Sequence, residues 1–283
     1  MSIIEFCSVS QVYHIGTSLQ KESLSEVSFT VVQGEMIAIV GATGSGKSTL
    51  VQHINGLLLP YHGQVLVKGI ATSDKKYRRT LWRTAGLVFQ YPEDQLFEET
   101  VYDDVAFGPR NLKLPKTEVD RRVKHALEKV GLDFDSIKDV SPLILSGGQK
   151  RRVAVAGVLA VEPEILVLDE PTAGLEPRVA KEMLKHLKKL QMENSITVII
   201  VTHNLKAVAP LADKVIVLQQ GKIVFNGTPR QLYSRGYDLP GTGLAVPPAT
   251  ELLLKLEERG KSVRTGVLTI EEAVAEILRV CKK

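Results

Sequence analysis

A short stretch near the N-terminus has the residue types and spacing needed to hold a triphosphate. Residues 41–49 read Gly-Ala-Thr-Gly-Ser-Gly-Lys-Ser-Thr, which fits the pattern G-x-x-x-x-G-K-[ST]. An apolar run at 36–40 precedes the stretch and a helical pattern follows from Leu50. Glycines let backbone N–H groups turn toward phosphate oxygens, Lys47 can reach the β- and γ-phosphates, and the Ser48 hydroxyl can bind Mg²⁺. The stretch therefore predicts a nucleoside triphosphate site.

Two carboxylates end a second apolar run. Asp169 and Glu170 follow residues 165–168, which have the character of a buried strand. Next to a bound triphosphate, Asp169 can hold Mg²⁺ while Glu170 polarises the attacking water. The alternative is that these acids only cap the following helix. His203 follows another apolar run, at 196–202, where it can donate to the γ-phosphate or serve as a structural histidine.

Two single residues give weaker signals. Gln90 ends the apolar run 87–89. In an α/β sheet the carboxyl end of a strand faces the ligand, so this amide can orient a water or contact Mg²⁺. Tyr13 lies upstream of the phosphate-binding stretch, where its ring can stack on a purine base. The alternative for Tyr13 is an ordinary half-buried tyrosine at the end of a strand.

A second group of small residues precedes a helical pattern at 150–160. Ser146, Gly147, Gly148 and Gln149 would again offer backbone N–H groups, and one hydroxyl, to a phosphate. One fold cannot easily direct two such nests at the same γ-phosphate, because the first nest already surrounds it. We therefore expect the second nest to complete the site of another copy of the protein.

Acidic side chains alternate with apolar ones after Gln90. Apolar anchors surrounded by one sign of charge are suited to a complementary basic helix of a partner protein. A plain surface loop is the alternative. The six carboxylates are Glu93, Asp94, Glu98, Glu99, Asp103 and Asp104, and the apolar residues are Leu96, Phe97, Val101 and Tyr102.

The periodicity of the chain indicates an α/β protein with a mostly parallel core sheet and additional short antiparallel strands. Residues 117–131 predict an amphipathic helix with Thr117 as its N-cap and Gly131 at its end. Because 54 residues separate Gln90 from Leu145, a small helical subdomain fits there, at about 91–160. The predicted strands cover residues 3–9, 24–32, 36–40, 63–69, 87–89, 165–168 and 196–202, followed by a hairpin at 213–225.

The last part of the chain differs in composition. Residues 236–248 are rich in Pro and Gly and predict a linker. Two short helices are expected after it, the first around 252–256 and the second opened by a capping box at 269–272. We therefore divide the chain into a nucleotide-binding domain at 1–235 and a small helical appendage at 236–283.

Composition narrows the class of protein. Lys plus Arg exceed Asp plus Glu by 36 − 32 = 4, an excess that we interpret as mild and too scattered to indicate a nucleic-acid partner. Cys7 and Cys281 lie near opposite ends without zinc-type spacing, and the histidines show no metal-ligand pairing. No apolar run approaches the ~18 residues of a membrane span, and residues 1–5 lack the features of a signal peptide. The sequence therefore predicts a soluble, cytoplasmic protein.

Over residues 1 to about 235 the motifs resemble those of ATP-binding-cassette (ABC) ATPases. Five motifs occur in that family's order: the Walker A loop at 41–49, the Q-loop residue Gln90, the signature at 145–149, the Walker B strand at 165–170 and the switch residue His203. Residues 89–97 and 104–109 more narrowly resemble the ATPases of energy-coupling factor (ECF) importers, the CbiO-like group. Within that group, the residues at 91–93 and 97–100 resemble the second of the two ATPase types more than the first.

This resemblance implies the P-loop fold of an ABC nucleotide-binding domain, with ATP and Mg²⁺ as its ligands. It also implies a head-to-tail pair of cassettes, in which each ATP contacts Walker A of one subunit and the signature of the other. The expected nucleotide contacts are Tyr13, Gly41, Thr43, Gly44, Ser45, Gly46, Lys47, Ser48, Thr49, Ser146, Gly147, Gly148 and Gln149. The expected metal ligands are Ser48, Gln90 and Asp169, and the expected catalytic residues are Glu170, His203 and Gln90.

The resemblance further implies partners in a bacterial or archaeal cell membrane, with this chain on the cytoplasmic face. A transmembrane scaffold protein would seat arginine-bearing coupling helices in the acidic groove after Gln90. A substrate-capture membrane protein, specific for a vitamin or for cobalt or nickel ions, would complete the importer. Glu176 departs from the family, which commonly has Gly-Leu-Asp-Pro at this D-loop, so coupling between the two ATP sites is less certain than hydrolysis at either.

The main alternative is an ABC ATPase without a transport role. Members that act in DNA maintenance need a coiled-coil insertion before the signature, which the short interval excludes, and translation factors carry two cassettes in one chain. A simple P-loop kinase is disfavoured by the second phosphate nest. A stand-alone assembly scaffold stays open, and co-purification with or without a membrane protein would distinguish it from a transport subunit.

Overall fold

The computed structural model describes residues 1–234 and 246–281. The strands are β1 (Ser2–Tyr13), β2 (Lys21–Val32), β3 (Met36–Val40), β4 (His62–Val67), β5 (Ile70–Ala71), β6 (Ala85–Val88), β7 (Ile165–Asp169), β8 (Thr197–Thr202), β9 (Lys214–Gln219) and β10 (Lys222–Gly227). The helices are α1 (Lys47–Ile54), α2 (Lys75–Arg78), α3 (Val101–Asn111), α4 (Lys116–Lys129), α5 (Phe134–Ile137), α6 (Gly147–Leu159), α7 (Pro177–Asn194), α8 (Leu205–Val208), α9 (Pro229–Ser234), α10 (Pro248–Glu258) and α11 (Ile270–Cys281). Short 3₁₀ turns lie at Leu81–Arg83, Pro92–Gln95 and Pro142–Ile144. Across the described ranges, every helix is too short or too polar to span a bilayer.

The larger sheet brings four loops to one edge. Its strand order is β10-β9-β3-β8-β7-β6, and all of these strands except β10 run parallel to their neighbours. Parallel strands place their carboxyl ends at the same edge of a sheet, where ligands bind. The chain leaves this edge after Val40, Val88, Asp169 and Thr202. The expected α/β fold with a mostly parallel core is thus confirmed, and the predicted site residues follow these four strand ends.

The core strands divide their side chains between two hydrophobic clusters. On β3, Met36, Ala38 and Val40 face the first cluster, and Ile37 and Ile39 face the second. The first cluster packs the sheet against α3, α4, α6 and α7, and the second packs it against α1 and the antiparallel strands. Burial on both faces explains why these strands read as continuous apolar runs rather than as alternating patterns.

A second sheet is antiparallel and has the order β2-β1-β4-β5. Strands β1 and β2 each span 12 residues, which is longer than the sequence pattern predicts. Several register shifts interrupt their pairing, and such bulges break the alternation that a pattern search relies on. The loop between the strands therefore shrinks to residues 14–20, and Tyr13 is the last residue of β1.

Helices α3 to α6 form the helical part between β6 and β7. Helix α4 is amphipathic as predicted, and its buried side chains join the first cluster. The prediction of Thr117 as its N-cap is wrong. Pro115, with φ −64° and ψ 150°, takes the extended conformation of an N-cap residue, so the helix begins at Lys116. Gly131, with φ 74°, follows the helix in the left-handed conformation that its position predicts.

The described part of the appendage contains both predicted helices, α10 and α11, which enclose a small cluster around Leu253. Thr269 caps α11 by accepting a hydrogen bond from the backbone N–H of Glu272 at 3.2 Å. The Glu272 carboxylate also forms an ion pair with Arg230 of α9 at 2.6 Å, which ties the appendage to the rest of the chain. The predicted linker at 236–248 lies outside the described residues, except for its last three positions.

Candidate functional site

Two glycines allow the phosphate-binding loop to pack closely against neighbouring strands. A Cβ atom on Gly41 would lie 2.1 Å from the backbone oxygen of Leu218 on β9. A Cβ atom on Gly46, whose φ is 104°, would lie 2.5 Å from the backbone oxygen of Ser23 on β2. A larger residue at either position would push the loop away from the sheets. The glycine spacing therefore places the N-terminus of α1 directly after β3.

Lys47 begins α1, and its side chain is held inside the loop. The Nζ atom donates hydrogen bonds to the backbone oxygens of Gly41 at 2.7 Å and Ala42 at 2.9 Å. Burial lowers the pKa of Lys47, and the negative charges of Glu170 and Asp169 partly oppose this shift. The ammonium group thus lies among the backbone groups that would surround phosphate oxygens.

Asp169 ends β7 and is buried beside the phosphate-binding loop. Burial raises the pKa of its carboxyl group, and the charge of Glu170 adds to that effect. A hydrogen bond from the Ser48 side chain and the charge of Lys47 oppose it. Two hard oxygen donors, from Asp169 and Ser48, therefore meet in a region where negative charge is poorly compensated.

Glu170 and His203 are joined across the ends of β7 and β8. The backbone N–H of His203 donates to Glu170 Oε1 at 2.9 Å, and His203 Nδ1 lies 2.8 Å from the same oxygen. The hydroxyl of Thr202 donates to Glu170 Oε2 at 3.2 Å. Glu170 has φ 50°, an uncommon conformation for a residue with a side chain. These contacts fix the carboxylate at the edge of the sheet and hold the imidazole by one of its two nitrogens.

Tyr13 reaches the same site from the antiparallel sheet. Its hydroxyl lies 3.2 Å from Thr49 Oγ1, and this oxygen lies 2.9 Å from Ser23 Oγ. The three hydroxyls connect β1, β2 and α1 beside the phosphate-binding loop. Tyr13 is therefore placed where an aromatic ring could stack on the base of a bound nucleotide.

One cavity of about 440 Å³ collects most of the predicted nucleotide and catalytic residues. Gln90, which is exposed, contributes to its wall from the end of β6. The cavity thus joins the ends of β3, β6, β7 and β8 with the antiparallel sheet. It is lined by Tyr13, Lys21, Ser23, Thr43, Gly44, Gly46, Lys47, Ser48, Thr49, Gln90, Asp169, Glu170 and His203.

Two predicted contacts of the phosphate-binding loop do not line this cavity. Gly41 packs against β9 instead, and Ser45 buries its side chain while its backbone N–H donates to the Ala42 oxygen at 3.1 Å. Lys21 and Ser23 line the cavity but are absent from the sequence prediction. Both lie on β2. A prediction that β2 pairs with β1, the strand that carries Tyr13, could have identified them.

The second nest of small residues forms a different cavity. Ser146 caps α6 by accepting a hydrogen bond from the Gln149 backbone N–H at 3.3 Å, and Gln149 Oε1 accepts one from the Ser146 backbone N–H at 3.0 Å. This reciprocal capping box holds the nest in place. Ser146, Gly147, Gly148 and Gln149 line a cavity of about 450 Å³, and none of them lines the cavity that contains Lys47.

Arg151 is a buried charge that the sequence analysis missed. It lies on α6, 3% exposed, and forms an ion pair with Glu93 at 3.1 Å. The same guanidinium donates to the backbone oxygens of Pro171, at 3.3 Å, and of Ala173. It therefore joins the segment after Gln90 to the segment after Glu170. Its position in register with the apolar residues of α6 is the sequence signal that could have identified a buried charge.

The acidic segment differs from its prediction because three of its six carboxylates have partners within the chain. Glu93 pairs with Arg151, and Asp103 pairs with Arg110 at 2.7 Å. Asp104 is buried, accepts hydrogen bonds from two backbone N–H groups, and has a pKa that burial raises. Asp94, Glu98 and Glu99 form no ion pair with any residue that the structure describes.

An apolar groove lies beside the remaining acidic residues. The prediction of Val101 as an exposed anchor is wrong, because its side chain is fully buried in the first cluster. Phe97 is exposed and packs edge-to-face with Phe107, with their ring centroids 5.0 Å apart. Both rings, together with Trp82 and Leu96, line a cavity of about 450 Å³ between α3, α6 and β6. We call this cavity the apolar groove.

A Walker-type phosphate loop, a carboxylate pair, a histidine and a detached signature nest on this fold define an ABC-type ATPase. Residues 24–173 match the profile described as "ABC transporter". The "Energy-coupling factor transporter ATP-binding protein EcfA2" of Symbiobacterium thermophilum is 51% identical over 275 residues, which cover 97% of this chain and 95% of that protein. The expected likeness to the second ATPase type is thereby confirmed.

Two solved structures are also similar. One is that of cbiO1 from Clostridium perfringens, described as part of the ABC transporter complex cbiONQ. It has a TM-score of 0.77 and 37% identity, covering 92% of this chain and 97% of that one. The other is a dimer of the ATP-binding cassette MJ0796 with ADP and Pi, with a TM-score of 0.71 and 29% identity, covering 80% of this chain and 98% of that one. The chain therefore belongs to the ABC transporter family, in the group of ATP-hydrolysing subunits of energy-coupling factor transporters.

Proposed function

We propose that the chain hydrolyses ATP as one half of a head-to-tail dimer of ABC ATPases, mounted on a transmembrane scaffold protein. The dimer contains two copies of this chain or this chain and a second ATPase. The proposed importer moves a vitamin or a transition-metal ion such as cobalt or nickel, which a separate substrate-capture membrane protein binds. The chain itself lies on the cytoplasmic face of the cell membrane of a bacterium or archaeon.

The observation that carries the dimer is the separation of the two nests. Lys47, Asp169 and Glu170 line one cavity, whereas Ser146 and its neighbours line another. A phosphate bound beside Lys47 therefore receives no donor from Ser146 of the same chain. A second cassette in the opposite orientation supplies that donor, and the dimer of the related MJ0796 cassette with ADP and Pi supports such an arrangement.

Within the triphosphate cavity, the chain's own groups have distinct roles. The loop backbone and Lys47 bind the β- and γ-phosphates, and Tyr13 stacks on the adenine. Glu170 accepts a proton from the attacking water, because its carboxylate is fixed at the strand end and faces the cavity. His203 is held through Nδ1 beside the Glu170 carboxylate, which leaves Nε2 to face the γ-phosphate; Nε2 donates there when both ring nitrogens carry a proton.

The residues also fit Mg²⁺ as the companion of ATP. Asp169 and Ser48 offer hard oxygen donors, and Gln90, which lines the same cavity, offers a third. In the part of the chain that the structure describes, no group of three His, Cys, Asp or Glu side chains could hold a metal by itself. With a nucleotide bound, Mg²⁺ takes most of its ligands from phosphate and water oxygens, so a few protein oxygens suffice. When bound, the ion would neutralise charge that develops on the phosphate oxygens.

A complementation experiment tests the shared sites. Lys47→Ala removes a triphosphate contact, and Ser146→Glu places a carboxylate where the partner's phosphate would lie. Each variant alone should be inactive, but a mixed dimer of the two contains one site in which both nests are intact. An equal mixture should therefore regain about a quarter of the wild-type ATPase activity, since half of the dimers are mixed and each has one working site.

The outcome against this proposal is a mixture that stays as inactive as the separate variants, although wild-type and variant chains dimerise equally. That result would mean that one chain completes its own site. Where the active form pairs this chain with a second ATPase, the same substitutions are divided between the two co-expressed chains. The ATPase activity of the pair that carries one change in each chain is then measured in place of the mixture.

The scaffold protein is proposed to dock in the apolar groove. Phe97 and Phe107 offer exposed rings, and Asp94, Glu98 and Glu99 offer carboxylates for arginines of a coupling helix. Docking there would transmit cassette closure to the membrane helices through the segment after Gln90. The Glu93–Arg151 ion pair supports that route, because it ties this segment to the helix that carries the signature.

Co-purification distinguishes this function from that of a stand-alone assembly scaffold. The double variant Glu98→Lys, Glu99→Lys should lose association with the membrane protein while keeping most of its ATPase activity. Glu257→Lys, Glu258→Lys on α10 is the matched control, because it makes the same charge change away from the groove. Equal membrane assembly of both variants would contradict docking in the groove, and a chain that never co-purifies with a membrane protein would favour the scaffold alternative.

We also propose the division into a nucleotide-binding domain at 1–235, with its helical subdomain at about 91–160, and an appendage at 236–283. The separate small cluster between α10 and α11 supports this boundary. Ile270, Val274 and Leu278 lie four residues apart on α11 and are all exposed. A stripe of this kind supports a contact between the appendage and a second subunit.

A further inference from the structure

The chain's excess of positive charge is concentrated in one surface segment. Residues 72–84 contain five Lys or Arg residues and one Asp, a net of 5 − 1 = +4, which equals the formal net charge of the whole chain. The remaining residues are therefore formally neutral in sum, although they include other short basic runs such as 150–152. The five basic residues are Lys75, Lys76, Arg78, Arg79 and Arg83, and we call them the basic patch.

The charges of the basic patch are not neutralised locally. None of its five side chains forms an ion pair with a residue in the described ranges. Asp74, the acid of the same segment, uses Oδ1 to accept the backbone N–H groups of Lys76 and Tyr77, at 2.9 and 2.8 Å. Glu164, which lies close enough to influence Tyr77, pairs with Lys68 at 2.6 Å. The patch therefore presents uncompensated positive charge to its surroundings.

The basic patch borders the apolar groove. Trp82 lines the groove, and the guanidinium of Arg83 lies 5.5 Å from the centre of the Trp82 ring. The Arg78 side chain packs on Gly56 at the end of α1, where its Cγ atom would be 2.9 Å from an added Cβ. Leu57, the next residue, also lines the groove. The patch and the groove are thus adjacent surfaces joined through Trp82 and Leu57.

Exposed apolar side chains lie close to the basic patch along the chain. Leu57, Leu59 and Tyr61 follow α1, and Ile70 lies on β5; all are at least 37% exposed. Basic residues mixed with tryptophan, tyrosine and aliphatic side chains are typical of surfaces that rest on a membrane interface. A nucleic acid would account for the charge but not for the apolar side chains beside it. The adjacent groove is the proposed docking site of a membrane protein, and this position favours a lipid surface over an acidic protein.

We propose that the basic patch binds the anionic head groups of the lipid bilayer next to the docked scaffold protein. This proposal rests on the proposed function, because the groove it borders is the proposed docking site of that membrane protein. Each Lys or Arg near an anionic leaflet strengthens binding by about five-fold, and the effect fades within a Debye length. A patch of this size therefore orients the cassette at the membrane and adds to the affinity of the protein contact.

The experiment measures sedimentation of the purified full-length chain with protein-free vesicles. The vesicles contain either phosphatidylcholine alone or a mixture with phosphatidylglycerol. We expect binding to the anionic vesicles, weakening as salt is added, and little binding to the neutral ones. The variant Lys75→Glu, Lys76→Glu, Arg79→Glu should reduce partition by at least about 100-fold, since three contributions of about five-fold are lost and three carboxylates are added.

A matched variant separates local from global charge. Lys181→Glu, Lys185→Glu, Lys222→Glu makes the same net change at exposed lysines of α7 and β10, and its partition should fall by less than about five-fold. All of these substitutions lie at exposed positions, and circular dichroism of each variant establishes that it is folded. Equal losses in the two triple variants, or equal binding of the wild type to neutral and anionic vesicles, would overturn the proposal.

A second readout uses the single tryptophan of the sequence, Trp82, which adjoins Arg83. Its fluorescence should be quenched by a lipid that carries a head-group quencher, and the patch variant should abolish this quenching. Suppose that the patch variant no longer assembles with the membrane protein and that the wild type binds no vesicles. The basic patch then contacts an acidic protein surface, and the lipid proposal fails. Because the vesicles contain no scaffold protein, failure of groove docking leaves their result unchanged.

Discussion

The triphosphate cavity, which contains Lys47, and the signature cavity, which contains Ser146, share one local feature but differ in their surroundings. In both, small residues precede a helix, α1 in one case and α6 in the other. The first cavity adds Lys47, two carboxylates and a histidine from neighbouring strand ends. The second adds Tyr91, the ion-paired Glu93 and the residues that follow Walker B, but no carboxylate fixed for water activation.

This difference follows from where each helix begins. Helix α1 leaves the carboxyl edge of the parallel sheet, where other strands necessarily deliver their own end residues. Helix α6 begins in the helical part, after the turn at Pro142–Ile144, and its cavity is lined by Tyr91, Glu93 and residues 173–176 rather than by the last residues of the parallel strands. The first nest can therefore carry chemistry, whereas the second can offer only donors. The first region holds the groups for hydrolysis, and in the proposed dimer the second region donates to the phosphate of a second chain.

The largest expected effect is the loss of hydrolysis in Glu170→Gln. The amide cannot accept a proton from water, so turnover should fall by ~10²–10³ while ATP binding remains, because the groups that bind phosphate are unchanged. Steady-state ATPase assays and equilibrium binding of a fluorescent ATP analogue measure the two quantities separately.

Glu193→Gln is the matched control for this test, because Glu193 is an exposed acid on α7 with only a surface ion pair. Its hydrolysis rate should stay within a factor of about two of the wild type. Wild-type turnover in Glu170→Gln would remove Glu170 from the role of base. It would also weaken the contrast between the two cavities.

A smaller effect, different for the two small-residue segments, is expected for glycine substitutions. Gly41→Ala should lower the free energy of unfolding by at least about 2 kcal/mol, because its Cβ would collide with the Leu218 backbone at 2.1 Å. Gly147→Ala meets no atom within 4 Å and lies in the first turn of α6, so its stability should be unchanged or up to about 1 kcal/mol higher. Chemical denaturation measures both values.

Activity should nevertheless fall in Gly147→Ala, by at least about ten-fold, because the added methyl group blocks close approach of a partner's phosphate. A variant that is stable but inactive would indicate that Gly147 is needed for contact with another chain and not for folding. Full activity of Gly147→Ala would contradict that interpretation, as would a stability loss equal to that of Gly41→Ala.

The smallest effect concerns acid pH. Hydrogen bonds from Arg121 and Arg122 lower the pKa of Glu118, on α4, from 4.5 to about 2. A lowered carboxyl pKa stabilises the fold above pH 4.5, and this stabilisation is lost as the pH falls toward about 2. Burial raises the pKa of Asp169, so this residue has the opposite effect on stability: its protonation at acid pH relieves the cost of burying a charge.

Glu118→Gln tests the acid dependence of the helical part. The wild type should be the more stable of the two near neutral pH, and the difference in thermal unfolding should shrink as the pH falls from 4.5 toward about 2, because only the wild type has a charged Glu118 to lose. Parallel curves over that range would show that Glu118 does not contribute to the acid sensitivity. The matched control is Glu128→Gln on the same helix, whose carboxylate makes only a 4.0 Å surface contact with Lys124.

Much of the triphosphate cavity could be predicted from the sequence because its residues follow strands that are buried on both faces. The continuous apolar runs mark the ends of β3, β7 and β8, and the polar residues after them must share one edge of the sheet. Lys21 and Ser23 escaped prediction because β2 carries them to the cavity through antiparallel pairing, which contains several bulges.

The acidic segment was harder to interpret for a different reason. Sequence gives the charges of Glu93, Asp103 and Asp104 but not their partners, which are Arg151, Arg110 and backbone N–H groups. Arg151 reaches Glu93 from 58 positions away along the chain. A contact of that separation depends on how α6 packs against the segment after Gln90, and no local pattern encodes it.

The sequence by itself determined the chemistry of the phosphate loop, the order of the motifs and the expectation of a second chain, because spacing and residue type alone limit what such groups can bind. The tertiary structure decided which charges remain free. It pairs Glu93 with Arg151, buries Asp104 and leaves the basic patch open beside the apolar groove. The physical reason is that a charge acts outward only where folding provides no partner for it, and partners distant in sequence meet only in three dimensions.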